Sequence, residues 1–312
     1  MKVWINGKIW DARKPAVSVL DRGFLYGDGV YETLRADNGR PFHFHEHFCR
    51  LQISAHGVGI RIPVTERELL LAVDRLLKAN GLKEAAVRVT LTRGIGPRGF
   101  DPRPCRTPTL AILAVPLPPR RSALTLAVVS VRRNPVNALN PALKTTNNLN
   151  NIFALKEALE RGAQEALMLN TDGYLAEGSA SNLFFVTQGR LKTPSLDCGI
   201  LAGVTRDVVL DLSRKKMPVR EGRFKLRDLY KSDEVFLTNT TSGVAPVIAV
   251  LDEGGRRRGP KSSTPGPWTE QVRRHYRERV TQETGELTGL KFSRWLETSE
   301  GFPEFRESRN AL

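Results

Sequence analysis

The sequence predicts an α+β fold in two parts, and three observations carry that expectation. Short strands with Gly- and Asn-containing turns recur along the chain, amphipathic helical stretches at 65–80 and 268–283 interrupt them, and a proline–arginine run at 116–121, PLPPRR, divides the pattern. Three prolines and two arginines do not fit a sheet interior, so this run reads as a connection between domains. The expected organisation is a small α/β domain at 1–115, an interdomain loop at 116–122 and a larger domain at 123–284. A polar extension of unassigned structure follows at 285–312.

Taken in order, VWINGKIW reads as a hairpin turning at Asn6-Gly7. GVYETLRADNGRPFHF reads as a second hairpin, across Asp37-Asn38-Gly39. EHFCRLQISAHGVGI is helical, with Phe48, Leu51, Ile53 and Ala55 mostly on one side. In the helix at 65–80, Thr65 fits the N-cap, Glu68 the capping-box partner and Gly81 the stop. AAVRVTLTRG and TLAILAVPL are strands. Beyond the proline run come strand TLAVVSV, a loop rich in Asn and Pro, and helix NIFALKEALERG closed by Gly162. EALMLN-TDGY-LAEGS makes a hairpin and NLFFV a strand. GILAGVTRDVVLDLSRK is a Gly-hinged turn into a helix, and VFLTNTTSGVAPV a strand running into a loop.

The bulk numbers exclude several classes. With 312 residues and 40% apolar content the chain can build a normal core. Cys49, Cys105 and Cys198 are odd in number and widely spaced, which fits a reducing, cytoplasmic setting rather than a disulfide framework. The N-terminal MKVWINGKIW has no signal-peptide pattern, and no stretch reaches about eighteen apolar residues, so no membrane span is expected. The net charge of +15 comes from dispersed basic residues, with short runs only at Arg214-Lys215-Lys216 and Arg256-Arg257-Arg258. No nucleic-acid motif accompanies it, so it reads as an arginine-rich surface that also favours phosphate- and carboxylate-bearing ligands.

Two residues suggest chemistry. Lys144 lies in the run LKTTNNLNNIFALKEA, and Glu177 leads EGSASNLFF at a strand end. An aldehyde cofactor with a basic ring nitrogen requires such a pair: the lysine for a Schiff base, the carboxylate to keep the ring nitrogen protonated. GVTRD opens a helix where Gly203 permits close approach and the amides of Val204 and Thr205 leave a positive helix end, a phosphate cradle in principle. TNTTSG sets Thr240, Thr241 and Ser242 at a strand end able to bind an anion. Arg50 lies on a helix near His45 and His47, and Tyr31 with Arg98 could grip a carboxylate. Each of these has an ordinary structural explanation when taken singly. The alternation His43-His45-His47 suggests a metal-ligand strand, but no further cluster completes a site, and no metal is expected.

Together these residues resemble a known family. EGSASNLFFV, then LKT and LAGVTR, with DRGFLYGDGVYETLR, the His47–Arg50-Leu51 group and KTTNNLNN, are similar to the class IV, fold-type IV pyridoxal-phosphate aminotransferases, from about residue 3 to residue 284. The resemblance implies a small α/β domain joined to a larger barrel-like domain with pyridoxal 5'-phosphate between them. It also implies a homodimer whose site borrows a loop from its partner, and amino acids and 2-oxo acids as substrates. By the same resemblance Lys144 carries the cofactor and Glu177 pairs with its pyridine nitrogen. Arg50, Thr240 and the amides of Val204 and Thr205 hold the phosphate, while Thr241 and Ser242 lie on the substrate side.

Within the family, Leu149 stands five residues after the lysine, where branched-chain enzymes carry Tyr. Tyr31 and Arg98 match the carboxylate trap of the D-amino-acid enzymes, although the His expected two residues after that arginine is Phe100. Arg98-Gly99-Phe100 also resembles a loop of the aminodeoxychorismate lyases, whereas Glu32 favours the transaminases. The order that results is D-amino-acid transaminase, then branched-chain transaminase, then lyase or (R)-amine transaminase. A nucleic-acid-binding protein on an inactive scaffold is the alternative from another class, and the intact Lys144 and Glu177 argue against it.

Overall fold

In this computed structural model, residues 1–14, 16–119 and 123–285 are described. β1 (Lys2–Ile5) and β2 (Lys8–Asp11) pair across Asn6 (φ 45°) and Gly7 (φ 89°), the two left-handed residues that a tight hairpin needs. α1 (Arg22–Tyr26) is capped by the Asp21 carboxylate. β3 (Gly29–Asp37) turns over Asn38 and Gly39 into β4 (Arg40–Pro41), which is only two residues long. The expected second arm stops there because His43 takes φ 51° and the chain enters α2 (Phe44–Gly57). His43, His45 and His47 therefore share no strand face. Within α2, Phe48, Leu51 and Ala55 are buried, but Ile53 points outward.

α3 (Glu66–Asn80) has the full expected capping box between Thr65 and Glu68, and it ends at Gly81 with φ 64°. β5 (Ala85–Thr92) and β6 (Thr109–Pro116) complete a sheet in the order β2-β1-β6-β5-β3-β4. The strict alternation of buried and half-buried residues along β5 sends Val87, Val89 and Leu91 into a core shared with α2 and α3. Arg88, between two of them, goes to the opposite face.

β7 (Leu124–Val128), α4 (Leu149–Glu160), β8 (Glu165–Leu169) and β9 (Leu175–Gly178) follow. Next come β10 (Asn182–Thr187), β11 (Arg190–Pro194), α5 (Val204–Arg214), β12 (Val219–Gly222) and α6 (Leu226–Tyr230). The rest is β13 (Glu234–Asn239), β14 (Gly243–Leu251), β15 (Arg257–Gly259) and α7 (Pro267–Thr284). In place of the loop expected after β13 there is a second strand, antiparallel to β13 across the turn 240–242.

β10, β13, β14, β7, β8 and β9 run as consecutive neighbours, and β9 then pairs back onto β10 through Glu177 and Asn182. The sheet thus closes into a barrel-like ring, and the closing pair is where the candidate carboxylate sits. Strands buried on both faces explain the unbroken apolar runs ALML, LFFV and VFL. Part of the expected interdomain loop (120–122) and the tail after 285 lie outside the described residues.

Candidate active site

A cavity of about 310 Å³ opens between the two sheets. Tyr31 and Thr33 of β3, Arg88 of β5, Arg50 of α2, Lys144, Glu177 of β9, Val204 and Thr205 of α5, and Thr240 and Thr241 all line it. Eight residues expected from the sequence therefore meet at one cavity: Tyr31, Arg50, Lys144, Glu177, Val204, Thr205, Thr240 and Thr241.

Lys144 is held by its backbone. Its amide donates to Ser54 Oγ at 3.0 Å, and its carbonyl accepts from the Tyr31 amide at 2.9 Å. Its Nζ lies 4.5 Å from the centre of the Tyr31 ring, an amine placed on an aromatic wall of the cavity.

Glu177 is buried, yet both its oxygens are hydrogen-bonded. Arg133 Nε donates to Oε1 at 2.7 Å, and Asn182 Nδ2 (3.1 Å) and the Leu201 amide (3.0 Å) donate to Oε2. Burial pushes this carboxyl up, against the downward pull of Arg133, the Leu201 amide and the Lys144 ammonium. A cation arriving in the cavity would add to that pull. Neither Arg133 nor Asn182 is among the residues expected from the sequence. Asn182 is visible in the NLFF motif, but Arg133 sits in an aperiodic loop 44 residues from its partner.

At the other end, Arg50 donates through Nε and Nη2 to Glu32 Oε1 (2.7 Å) and Oε2 (2.8 Å), and His47 Nδ1 lies 2.8 Å from the same carboxylate. Burial raises the Glu32 pKa, but Arg50 and His47 outweigh it and bring it down to about 2. His47 is itself pushed down by burial, which Glu32 only partly offsets. The arginine is thus aimed by a fixed carboxylate, with a third bond from Nη1 to the Ala202 carbonyl at 2.7 Å.

This arrangement sets a pH dependence. The folded carboxyl titrates near 2 and the unfolded one near 4.5, so the stabilisation is complete above about 4.5 and disappears as pH falls from there towards 2. Glu32→Gln should therefore unfold more easily than wild type at neutral pH, and urea-unfolding midpoints should converge as pH drops through that window. A gap independent of pH would contradict the assignment.

The wall beside Arg50 is suited to an anion. α5 begins at Gly203 with no side-chain cap, leaving its first amides at the cavity edge. A Cβ on Gly203 would stand 2.0 Å from Asn182 Oδ1, so only glycine lets this helix start against the residue that also holds Glu177. Thr238 Oγ1 and Ser181 Oγ are buried on cavity-lining residues and have no hydrogen-bond partner among the described residues. A site whose own polar atoms are left unsatisfied, with a cationic anchor at one end and a carboxylate at the other, fits a planar phosphorylated ligand with a basic ring nitrogen.

Two expected residues fall outside. Arg98 is exposed on the 93–108 segment, which Arg22 Nη1 ties to the Gly99 carbonyl (2.7 Å) and the Tyr26 hydroxyl to the Gly99 amide (3.0 Å). That anchoring to α1 keeps Arg98 out of the cavity of its own chain, so it does not meet Tyr31 there. Ser242 turns its amide back onto Asn239 Oδ1 at 2.7 Å, and the residue lines a separate small cavity with Arg35 and Tyr276. Besides Lys144, Arg88 reaches Tyr31, with its guanidinium 3.7 Å over the ring; the alternation of β5 is the signal that could have indicated it. Among the described residues, no group of three or more His, Cys, Asp or Glu could hold a metal ion, and no helix is long and apolar enough to cross a membrane.

Comparison with known proteins points to one family. Residues 29–250 match the family model "Amino-transferase class IV". A Methanocaldococcus jannaschii protein provisionally named a branched-chain-amino-acid aminotransferase is 43% identical over 253 residues, 80% of this chain and 88% of that one. A D-alanine aminotransferase of Listeria monocytogenes is 33% identical, covering 93% of this chain and all of that protein. Among solved structures, the branched-chain aminotransferase of Thermoproteus uzoniensis with norvaline superposes with a TM-score of 0.83 at 33% identity, covering 95% of this chain and 98% of that one.

Proposed function

The chain belongs to the class IV aminotransferases, enzymes that use pyridoxal 5'-phosphate, and from that premise we propose that it moves the amino group of an aliphatic L-amino acid onto a 2-oxo dicarboxylic acid. The observation that carries this reading is Arg88, 3.7 Å over Tyr31 in the same cavity as Lys144. It offers a cation to a second carboxylate, while Leu139, Pro141 and Leu143 on the same cavity supply apolar surface for a hydrocarbon side chain.

The residues take these roles in the proposal. Arg50, the free amides of Val204 and Thr205, and Thr240 hold the phosphate. Glu177 accepts from the ring nitrogen, and Arg133, Asn182 and the Leu201 amide fix its orientation. When bound, the cofactor supplies an electron sink that makes the substrate Cα–H acidic. Lys144 would attach the cofactor, and its Nζ, as a free amine, would carry the substrate Cα proton away and return it. Tyr31 and Thr241 border the substrate.

D-amino-acid transfer is the second reading. It rests on Tyr31 and requires Arg98 to be delivered by another copy of the chain. Phe24, Ile95 and Phe100 around that segment, and Leu149, Ile152 and Phe153 on α4, are exposed apolar side chains suited to a homodimer.

Assays of L-leucine, D-alanine and a primary amine side by side, each with 2-oxoglutarate, separate the readings. L-leucine should be the best donor, and Arg88→Met should raise the KM for 2-oxoglutarate about tenfold or more while sparing a monocarboxylic 2-oxo acid. D-alanine turnover exceeding L-leucine, with a sedimentation mass of two chains and a loss on Arg98→Leu, would favour the second reading instead.

A further inference from the structure

While α2 turns Phe48, Arg50 and Leu51 inward, it presents His45 and Cys49, one helical turn apart, to Glu66, the residue that opens α3. His45 Nδ1 lies 3.1 Å from both carboxylate oxygens of Glu66, and His45 Nε2 lies 3.5 Å from Cys49 Sγ. A thiol, an imidazole and a carboxylate thus stand in line on the outer side of the small domain. None of the three borders the cavity that Lys144 lines.

The carboxylate fixes the roles. It can only accept, so the neutral ring carries its proton on Nδ1 and keeps the Nε2 lone pair for the thiol. Burial raises the Cys49 pKa, and the Glu66 and Glu46 carboxylates raise it further, so this thiol holds its proton against water. Handing the proton to His45 avoids a bare thiolate among carboxylates, because the imidazolium then forms beside the sulfur and Glu66 stabilises it. Cys49 is only partly buried, which leaves it open to a small reagent. Cys198 is closed off from solvent, and neither it nor Cys105 has a histidine partner among the described residues.

We propose that Cys49 is a thiol–disulfide exchange site for small disulfides, with His45 as its base and Glu66 holding the base in place. Sγ gives its proton to His45 Nε2 and attacks one sulfur of the incoming disulfide. The reagent's S–S bond breaks as the new bond to Cys49 forms. The departing half leaves with the electron pair as a thiolate and takes the proton back from Nε2. Cys49 is oxidised and one half of the reagent is reduced, so no further reactant is needed.

The test uses bis(2-hydroxyethyl) disulfide, which is uncharged and so is not repelled by Glu46 and Glu66. It is added to the protein loaded with pyridoxal 5'-phosphate, and peptide mass spectrometry follows each cysteine over time. The mixed disulfide should form on Cys49 about tenfold or more faster than on Cys105, and His45→Asn should slow Cys49 by a similar factor. Glu66→Gln separates two effects of the carboxylate. Slower exchange is expected, because the imidazole loses the group that orients it and stabilises its charge. Faster exchange would mean that Glu66 only repels the thiolate, and would overturn the proposal. Equal rates at Cys49 and Cys105, or a Cys49 rate unchanged by His45→Asn, would overturn it as well.

Discussion

Lys144→Ala is expected to reduce transamination by at least about four orders of magnitude, because in the proposed mechanism one side chain supplies both the covalent attachment and the proton carrier. The amine stands 4.5 Å from the Tyr31 ring, and its backbone is fixed from two sides by Ser54 and Tyr31. Neither backbone bond depends on the side chain, so the variant should fold and keep its cavity. Borohydride treatment of wild type loaded with pyridoxal 5'-phosphate should fix the cofactor's mass on the peptide containing Lys144, and the variant should take no label. A variant that still exchanges amino groups at the wild-type rate would remove the assignment altogether.

The second large effect is expected at Glu177. Glu177→Gln replaces an anion by a neutral amide of similar shape, so in the proposed arrangement a protonated ring nitrogen would no longer be stabilised and the electron sink would weaken. A fall in kcat of roughly two to three orders of magnitude, with a smaller change in KM, is the expected outcome. Stability should drop as well. Arg133 is almost fully buried and donates to Glu177 at 2.7 Å, and removing the anion strands that guanidinium at a cost of about 3–5 kcal/mol. Glu177→Gln with Arg133→Met should recover much of the lost stability and none of the activity. Recovery of both in the double variant would mean that Glu177 serves only to neutralise Arg133.

Much of the scaffold is legible in the sequence because its signals are local. The Asn6-Gly7 turn, the Thr65–Glu68 capping box and the Gly81 stop each depend on residues within a few positions of one another, and all three are present in the structure. The differences fall at transitions that a short window cannot see. The hairpin after Gly39 is cut short because His43 adopts φ 51° and starts a helix, and the segment after Asn239 continues as β14 because β7 is available as a parallel neighbour. The helical pattern places Ile53 with the buried side of α2, but the core lies on the side of Phe48, Leu51 and Ala55.

For the site, the division follows the same physical line. The sequence by itself determined which chemistry is present: a lysine, a carboxylate, an uncapped helix start behind Gly203 and a hydroxyl-rich turn, each within a motif short enough to read. Only the tertiary structure decided how they are partnered. Closure of the second sheet at Glu177 and Asn182 brings in Arg133 from 44 positions away, and β3 lying beside α2 lets Glu32 aim Arg50. Loop anchoring by Arg22 withholds Arg98, whereas the pleat of β5 delivers Arg88 to Tyr31. Ion pairs and cavity walls are set by distances in space, and a linear pattern encodes those distances only after the strands that carry them have paired.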